Sequence, residues 1–427
     1  MCLYVLNWHC LFDTFVIIHC KASLLMRFSK SSTWWGPPRK FDPHFEERRI
    51  SWLELFYDLV YVIAISRITH HLAMHISLEG FLQYACLFIL IFWGWLNGSL
   101  YYDIHGSQGL RTRLMTLWQV MIISALAVTI DQPSPTWYVN TTIVFMVMQL
   151  YITYLWWSVG FYDRSHRRYN RPYTILFLLA LALMALSLFV PRPWVKPIAI
   201  IIIVCNYTPP FIAQRLLHRS SLDLSLSSSM AERLGLFTII VFGEVVLGVV
   251  NGISQVNKLD FLTWLNFGLA ISIVFALWWI FFAMTSDRNA KAGFVTATLL
   301  ELLCLPTLMA LGLIAARFSY LFELNETDQS LNVIFGSAIG IFLIGISLMM
   351  GLLVYAEIFD PIKKRTRLSL LVTSLVLMAW SVISIKLDTL YYLLVVILIL
   401  IAEIIYVTSL YYNLNSDAGK NIEKSPH

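Results

Sequence analysis

Twelve predominantly apolar stretches of about 20 residues recur along the chain, and this feature constrains the fold more than any other. A helix of about 20 residues crosses a bilayer, because lipid offers the backbone no hydrogen-bonding partner outside the helix itself. The stretches lie near 51–73, 80–102, 114–131, 137–161, 172–190, 194–216, 230–251, 261–284, 292–316, 331–357, 368–386 and 388–412. They consume most of the 427 residues and leave no room for a soluble catalytic domain. Only 13% of the residues are charged, whereas about 25% is usual for a globular domain. The expected fold is all-α: a polytopic integral membrane protein of about twelve transmembrane helices. Trp52, Trp137, Trp194 and Trp264 stand at span ends, where an amphipathic indole suits the headgroup layer.

The basic residues give the orientation. Arg39, Arg48 and Arg49 precede the first span, and Arg111, Arg164, Arg167, Arg215, Arg233, Arg288 and the run from Lys363 to Arg367 follow the even-numbered ones. In all, 23 of the 30 Lys and Arg fall on that side, against five on the other. Cytoplasmic loops carry such an excess, so both termini are expected in the cytoplasm and the protein in the plasma membrane. The organisation expected is an N-terminal segment 1–50, six spans over 51–216, six more over 217–412 and a tail 413–427. Residues 1–26 lack the basic start and cleavage site of a secretory signal. An interfacial helix, a thirteenth span and an extension upstream of a start at Met26 all remain open, and the last is preferred.

The two sets of six spans echo one another. Leu53-Glu54-Leu55-Phe56 opens span one, and Leu234-Gly235-Leu236-Phe237 opens span seven. Trp93-Gly94-Trp95 with Asp103 in span two is matched by Trp278-Trp279 with Asp287 in span eight. Six spans is an even number, so a repeat implies two parallel halves related by an axis along the membrane normal.

The stretch from Trp52 to Val62, WLELFYDLVYV, resembles the opening motif of the low temperature requirement A family. The block from Glu232 to Glu244, ERLGLFTIIVFGE, resembles that family's second motif, and Ala276-Leu277-Trp278-Trp279 a weaker third. Ser229 stands where the family often has a histidine, and Val245 where serine is common. The resemblance implies a polytopic membrane protein tied by name to growth in the cold. It brings no established reaction or substrate.

Function has to be sought in ionisable residues at membrane depth, each of which costs roughly 2.5–3.5 kcal/mol at a helix centre. Glu54 and Asp58 share one face of span one, with Tyr61 at the next turn. Counted from Arg49, Asp58 lies roughly 13–14 Å into the membrane, near the midplane. Glu244, roughly 16 Å beyond Arg233, is its counterpart in span seven, with Gly243 beside it to admit a helix or ligand. Glu301 in span nine is the third deep acid. Arg67, His70 and His71 form an outer polar cluster. Pro209, Pro210 and Pro306 interrupt helices and free backbone carbonyls.

Structural readings compete with each of these. Glu54 and Glu232 also read as anchors beside nearby arginines, the outer cluster as side chains snorkelling to the interface, and the proline pair as a kink. Asp58 and Glu244 also read as a structural pair, sharing a proton or meeting a basic group in the core.

The cysteines form no C-x-x-C pair, and nothing specifies a metal, a cofactor, a catalytic residue or nucleic-acid binding. The expected partners are the bilayer and an unidentified small solute or ion, with oligomeric state left open. The preferred function is an ion- or proton-coupled carrier, in which Asp58, Glu244, Glu301, Glu54 and Tyr61 handle the ion or solute. The alternatives are an intramembrane enzyme on a lipid, with His70 or His71 as base, or a non-catalytic sensor or scaffold.

Overall fold

The computed structural model describes residues 38–39 and 50–423, apart from 75–76, 107–108, 133, 163–166, 218–225, 255, 257–258, 287, 321–328, 357–359 and 385–386. The expectations for residues 1–26 and for Asp287 lie outside the described residues. The described residues form thirteen helices and one isolated bridge, between Ala290 and Leu353. The first seven are α1 (Trp52–Met74), α2 (Leu78–His105), α3 (Leu110–Asp131), α4 (Trp137–Tyr162), α5 (Arg167–Ser187), α6 (Arg192–Tyr207) and α7 (Pro209–Leu217). The remaining six are α8 (Ser228–Ser254), α9 (Phe261–Thr285), α10 (Phe294–Tyr320), α11 (Gln329–Leu352), α12 (Asp360–Ile383) and α13 (Thr389–Glu423).

Ten of these helices are long and apolar enough to cross a membrane, and α6 with α7 makes an eleventh as a pair bent by 40°. The twelfth expected span, α1, is 23 residues long but carries Glu54, Asp58 and Arg67, so composition alone does not qualify it. It is held instead by packing against α2, α3, α8 and α10. The chain is an all-helical, multi-pass membrane protein.

Local chemistry sets the helix ends. Ser51 and Glu54 form a reciprocal cap on α1. The Ser51 amide and hydroxyl each donate to Glu54 Oε2 at 2.8 Å, and the Glu54 amide donates to Ser51 Oγ at 3.3 Å. Ser77 caps α2, and Asp260 caps α9 by accepting the Thr263 amide. The tenth span was expected to reach residue 357, yet α11 stops at Leu352. There the linker before α10 supplies the partners that another helical turn would have used. The Lys291 amide donates to the Leu352 carbonyl, and the Val354 amide to the Asn289 carbonyl, both at 2.9 Å. Lys291, Lys363 and Arg367 then donate side-chain N–H groups to the Gly351, Leu353 and Ser347 carbonyls, cations placed on the negative end of a helix.

The packing partners of α1–α6 recur among α8–α13. Each first helix contacts the second and third of its group, and the third and second each contact the fourth. The fourth contacts the fifth, the fifth the sixth, and the sixth returns to the second. Contacts between the two groups run through α1 and α2 on one side and α8 and α10 on the other. α8 comes close to α10 at Gly248, where a Cβ would stand 2.5 Å from the Ala315 carbonyl oxygen.

Candidate functional site

The junction between the two helix groups carries the polar residues that the sequence singled out, arranged on two levels. On the lower level Asp58 faces Arg233 of α8. Arg233 donates from Nη2 to Oδ1 at 2.5 Å and from Nε to Oδ2 at 3.3 Å, and both side chains are buried. The Trp95 indole donates to the same Oδ1 at 2.7 Å. The guanidinium lies 5.5 Å from the Tyr57 ring centroid and 5.9 Å from that of Trp95, and Trp95 stacks on Phe237 at 4.3 Å. Arg233 Nη1 keeps no hydrogen-bond partner among the described residues. Tyr61, one turn along α1, accepts the Gln119 amide at 2.8 Å, as does Tyr57.

The upper level surrounds Glu244. Its Oε1 accepts the Ser66 hydroxyl at 2.9 Å, and its side chain is only half buried. Arg67 and His70 of α1 lie within its electrostatic reach. The Thr69 hydroxyl is buried near the Tyr84 hydroxyl, over Gly312. The Tyr84 hydroxyl donates to the Met309 carbonyl at 2.9 Å and sits over Gly312, where a Cβ would meet it at 2.1 Å.

Eight residues of α1 separate Asp58 from Ser66, or about 12 Å, so the two acids occupy separate environments. Asp58 is six residues beyond Trp52, about 9 Å along α1, level with Arg233 in the second turn of α8.

The chain matches the bacterial low temperature requirement A protein (LtrA) family over residues 49–407. That is most of its length. The chain belongs to the bacterial low temperature requirement A family. Comparison with curated proteins yields no match. The two long motifs that resemble this family are the two helices that meet at the junction: Asp58 belongs to the first motif, and Arg233 and Glu244 to the second. The position of the family's frequent histidine, Ser229 here, is also at the junction, because the Ser229 and Ser227 hydroxyls both donate to the Asp103 carboxylate.

Other expected residues are placed elsewhere. Trp278 and Trp279 of the third family motif face outward from the bundle, as does Glu232. Glu54 is the α1 cap. The outer cluster is divided: Arg67 pairs with Asp131 at 3.3 Å and, with His70, lies within reach of Glu244, while His71 stacks on Trp137. A Cβ on Gly243 would meet nothing within 4 Å, so no helix among the described residues uses that close approach. The Pro209–Pro210 break is sealed. The Asn206 carbonyl accepts the Trp93 indole at 2.9 Å, and the Asn206 and Gln149 amides pair reciprocally. α10 runs unbroken through Pro306. Glu301 is buried in α10 without a hydrogen bond from any described residue.

Sequence reasoning had no means to find Ser66, Thr69 and Gln119, which are ordinary polar residues within apolar runs. Trp95 was visible only through the Trp-Gly-Trp echo.

Proposed function

We propose that this low temperature requirement A protein is an ion- or proton-coupled carrier of a small solute in the plasma membrane, with Glu244 as the acid that takes up the cation. The observation that carries this reading is the contrast between the two acids of the junction. Asp58 is neutralised by a buried guanidinium and serves as a pin between the two six-helix halves. Glu244 is a half-open carboxylate at membrane depth, held by one serine hydroxyl. A carboxyl group kept in so apolar a place without a direct ion pair suits reversible uptake of a positive charge better than it suits a structural contact. Arg67 and His70 stand beside it toward the far end of α1, where a solute arriving from outside would meet them.

The test pairs chemistry with flux. Dicyclohexylcarbodiimide adds to protonated carboxyl groups in apolar surroundings. It is expected to modify Glu244 and spare Asp58, with the adduct absent in E244Q. Proteoliposomes filled with the pH dye pyranine are then given amines, amino acids and sugars in turn. A solute-dependent pH change that E244Q removes, while E244Q stays monodisperse and folded, supports coupling. A Glu244 that resists the carbodiimide at every pH, with no pH signal from any solute, overturns the reading.

A further inference from the structure

On the basic side of the second helix group the ends of α9, α10, α11 and α12 meet, and the cations they carry are drawn together. Arg288 follows α9, Lys291 precedes α10, and Lys363 and Arg367 lie near the start of α12. Tyr355, in the linker between α11 and α12, is the post around which they gather. Its hydroxyl donates to the Met284 carbonyl at 2.7 Å, which fixes the ring against the end of α9. The Arg288 guanidinium stands 4.0 Å from the centroid of that ring, and the Lys363 ammonium 4.5 Å. Lys291 and Arg367 meet one turn away. Lys291 Nζ donates to the Gly351 carbonyl at 2.9 Å, and a Cβ on Gly351 would stand 3.2 Å from the Arg367 guanidinium carbon.

The frame under this cluster is stiff. Backbone bonds from Lys291 to Leu352 and from Val354 to Asn289 tie the two linkers together. Arg367 Nε donates to the Ser347 carbonyl at 2.8 Å, and the Ser347 hydroxyl donates to the Arg367 carbonyl at 3.0 Å. Both terminal nitrogens of the Arg367 fork are then left without a hydrogen bond to any described residue. Arg288 gives one N–H to the Ala283 carbonyl at 3.3 Å, and its Nε has no partner among the described residues. The ion pairs formed among the described residues include none to Arg288, Lys291 or Arg367.

The carbonyls of a helix C-terminus amount to roughly half a unit of negative charge, too little to balance the gathered cations. In the sequence, residues 286–291 and 353–367 hold six basic residues against three acidic ones. Orientation in the membrane asks only that positive charge stay on this side. It does not ask that the charges be fastened to one helix end and one aromatic ring. Guanidinium forks match the paired oxygens of a phosphate, and basic side chains at a helix end lie where lipid phosphates do. Val354 and Leu368, beside the cluster, are exposed and apolar, a surface for acyl chains rather than for a free ion.

We propose that Arg288, Lys291, Lys363 and Arg367, gathered around Tyr355 and the end of α11, bind the headgroup phosphate of an anionic phospholipid. The site lies apart from Glu244 and does not rest on the carrier reading.

The full-length protein in a neutral detergent is unfolded thermally with phosphatidylglycerol, phosphatidylcholine or inorganic phosphate added at one ionic strength. A ligand that binds only the folded state raises the midpoint in a saturating manner. The expected result is a saturable rise with phosphatidylglycerol, and none with phosphatidylcholine or inorganic phosphate. Half-saturation moves several-fold to higher lipid concentration in R288Q/K291Q. It is unchanged in R113Q, which removes an exposed arginine of α3. Should R288Q/K291Q fail to fold, wild type in liposomes is photo-crosslinked to phosphatidylglycerol carrying a diazirine in its headgroup. Adducts are then expected to concentrate in residues 283–291 and 347–367. An equal response in R288Q/K291Q and wild type, the same rise with inorganic phosphate, or adducts spread evenly over the basic linkers would overturn the proposal.

Discussion

Breaking the Asp58–Arg233 pair on one side should be far more damaging than removing both partners. Replacing Arg233 by methionine leaves a buried carboxylate with one remaining donor, the Trp95 indole at 2.7 Å. Replacing Asp58 by leucine leaves a guanidinium that is 2% exposed, already has one unpartnered nitrogen, and then loses its other two contacts as well. Removing one member of a buried ion pair typically costs about 3–5 kcal/mol, because the survivor remains as an uncompensated charge. The double variant D58L/R233M carries neither charge, and pairs of this kind replaced by apolar residues of similar volume are often neutral or more stable. The expected outcome is a severe loss in each single variant and near-recovery in the double, a coupling energy of at least about 3 kcal/mol. Reversible unfolding in mixed micelles, followed by tryptophan fluorescence and checked for monodispersity, measures all four corners of the cycle. A double variant as unstable as the sum of the singles would refute the reasoning, because Asp58 and Arg233 would then be acting separately.

Two further outcomes follow from local geometry. Gly248→Ala forces a Cβ to 2.5 Å from the Ala315 carbonyl, a backbone atom that cannot rotate away. It should therefore destabilise by about 1–3 kcal/mol, whereas Gly243→Ala meets open space and should stabilise α8 by about 0.5–1 kcal/mol in the same unfolding assay. Asp260 lies outside the spans, and the Thr263 hydroxyl and amide hold its carboxyl below the usual 3.8. A carboxyl lowered in the folded state contributes its cap above the unfolded value and loses it as pH falls through the lowered one. Protection of the first-turn amides of α9, taken relative to the intrinsic exchange rate at each pH, should accordingly fall only below pH 3.8, and unchanged protection there would remove the cap from the account.

How far these features were legible in the sequence depended on the range of the interaction. Span number followed from hydropathy, and α1, the span that composition alone does not qualify, was still found, because its charges sit within an otherwise apolar run. The cap on α1 was also readable: Ser51 and Glu54 stand at the spacing of a capping box, although Glu54 was assigned to the site or to an arginine. The Asp58–Arg233 pair was not readable. Its members are 175 residues apart, and Arg233 was counted among loop charges that set orientation. Depth matching would have put the two on one level, but sequence gives no relative rotation of two helices. The same limit separated Arg67, His70 and His71. Their spacing along α1 is fixed, while their partners on α3, α4 and α8 are set by packing.

The spacing of the two levels bears on what a carrier would have to move. On α8, Ser229, Arg233 and Glu244 fall within roughly 60° of one another around the helix, whereas on α1 Asp58 and Ser66, the residue that bonds Glu244, are roughly 80° apart. The face of α1 that meets α8 therefore turns between the two levels. Between the levels Tyr61 and Ile65 of α1 and Phe237 and Val241 of α8 are all fully buried, Tyr61 against Gln119 and Met148 and Phe237 against Trp95. A cation released from Glu244 toward the basic end therefore meets this layer before it meets any acid. In the proposed carrier, a motion that exposed Glu244 to the basic end while Asp58 and Arg233 stayed joined would make the lower pair a hinge rather than a gate.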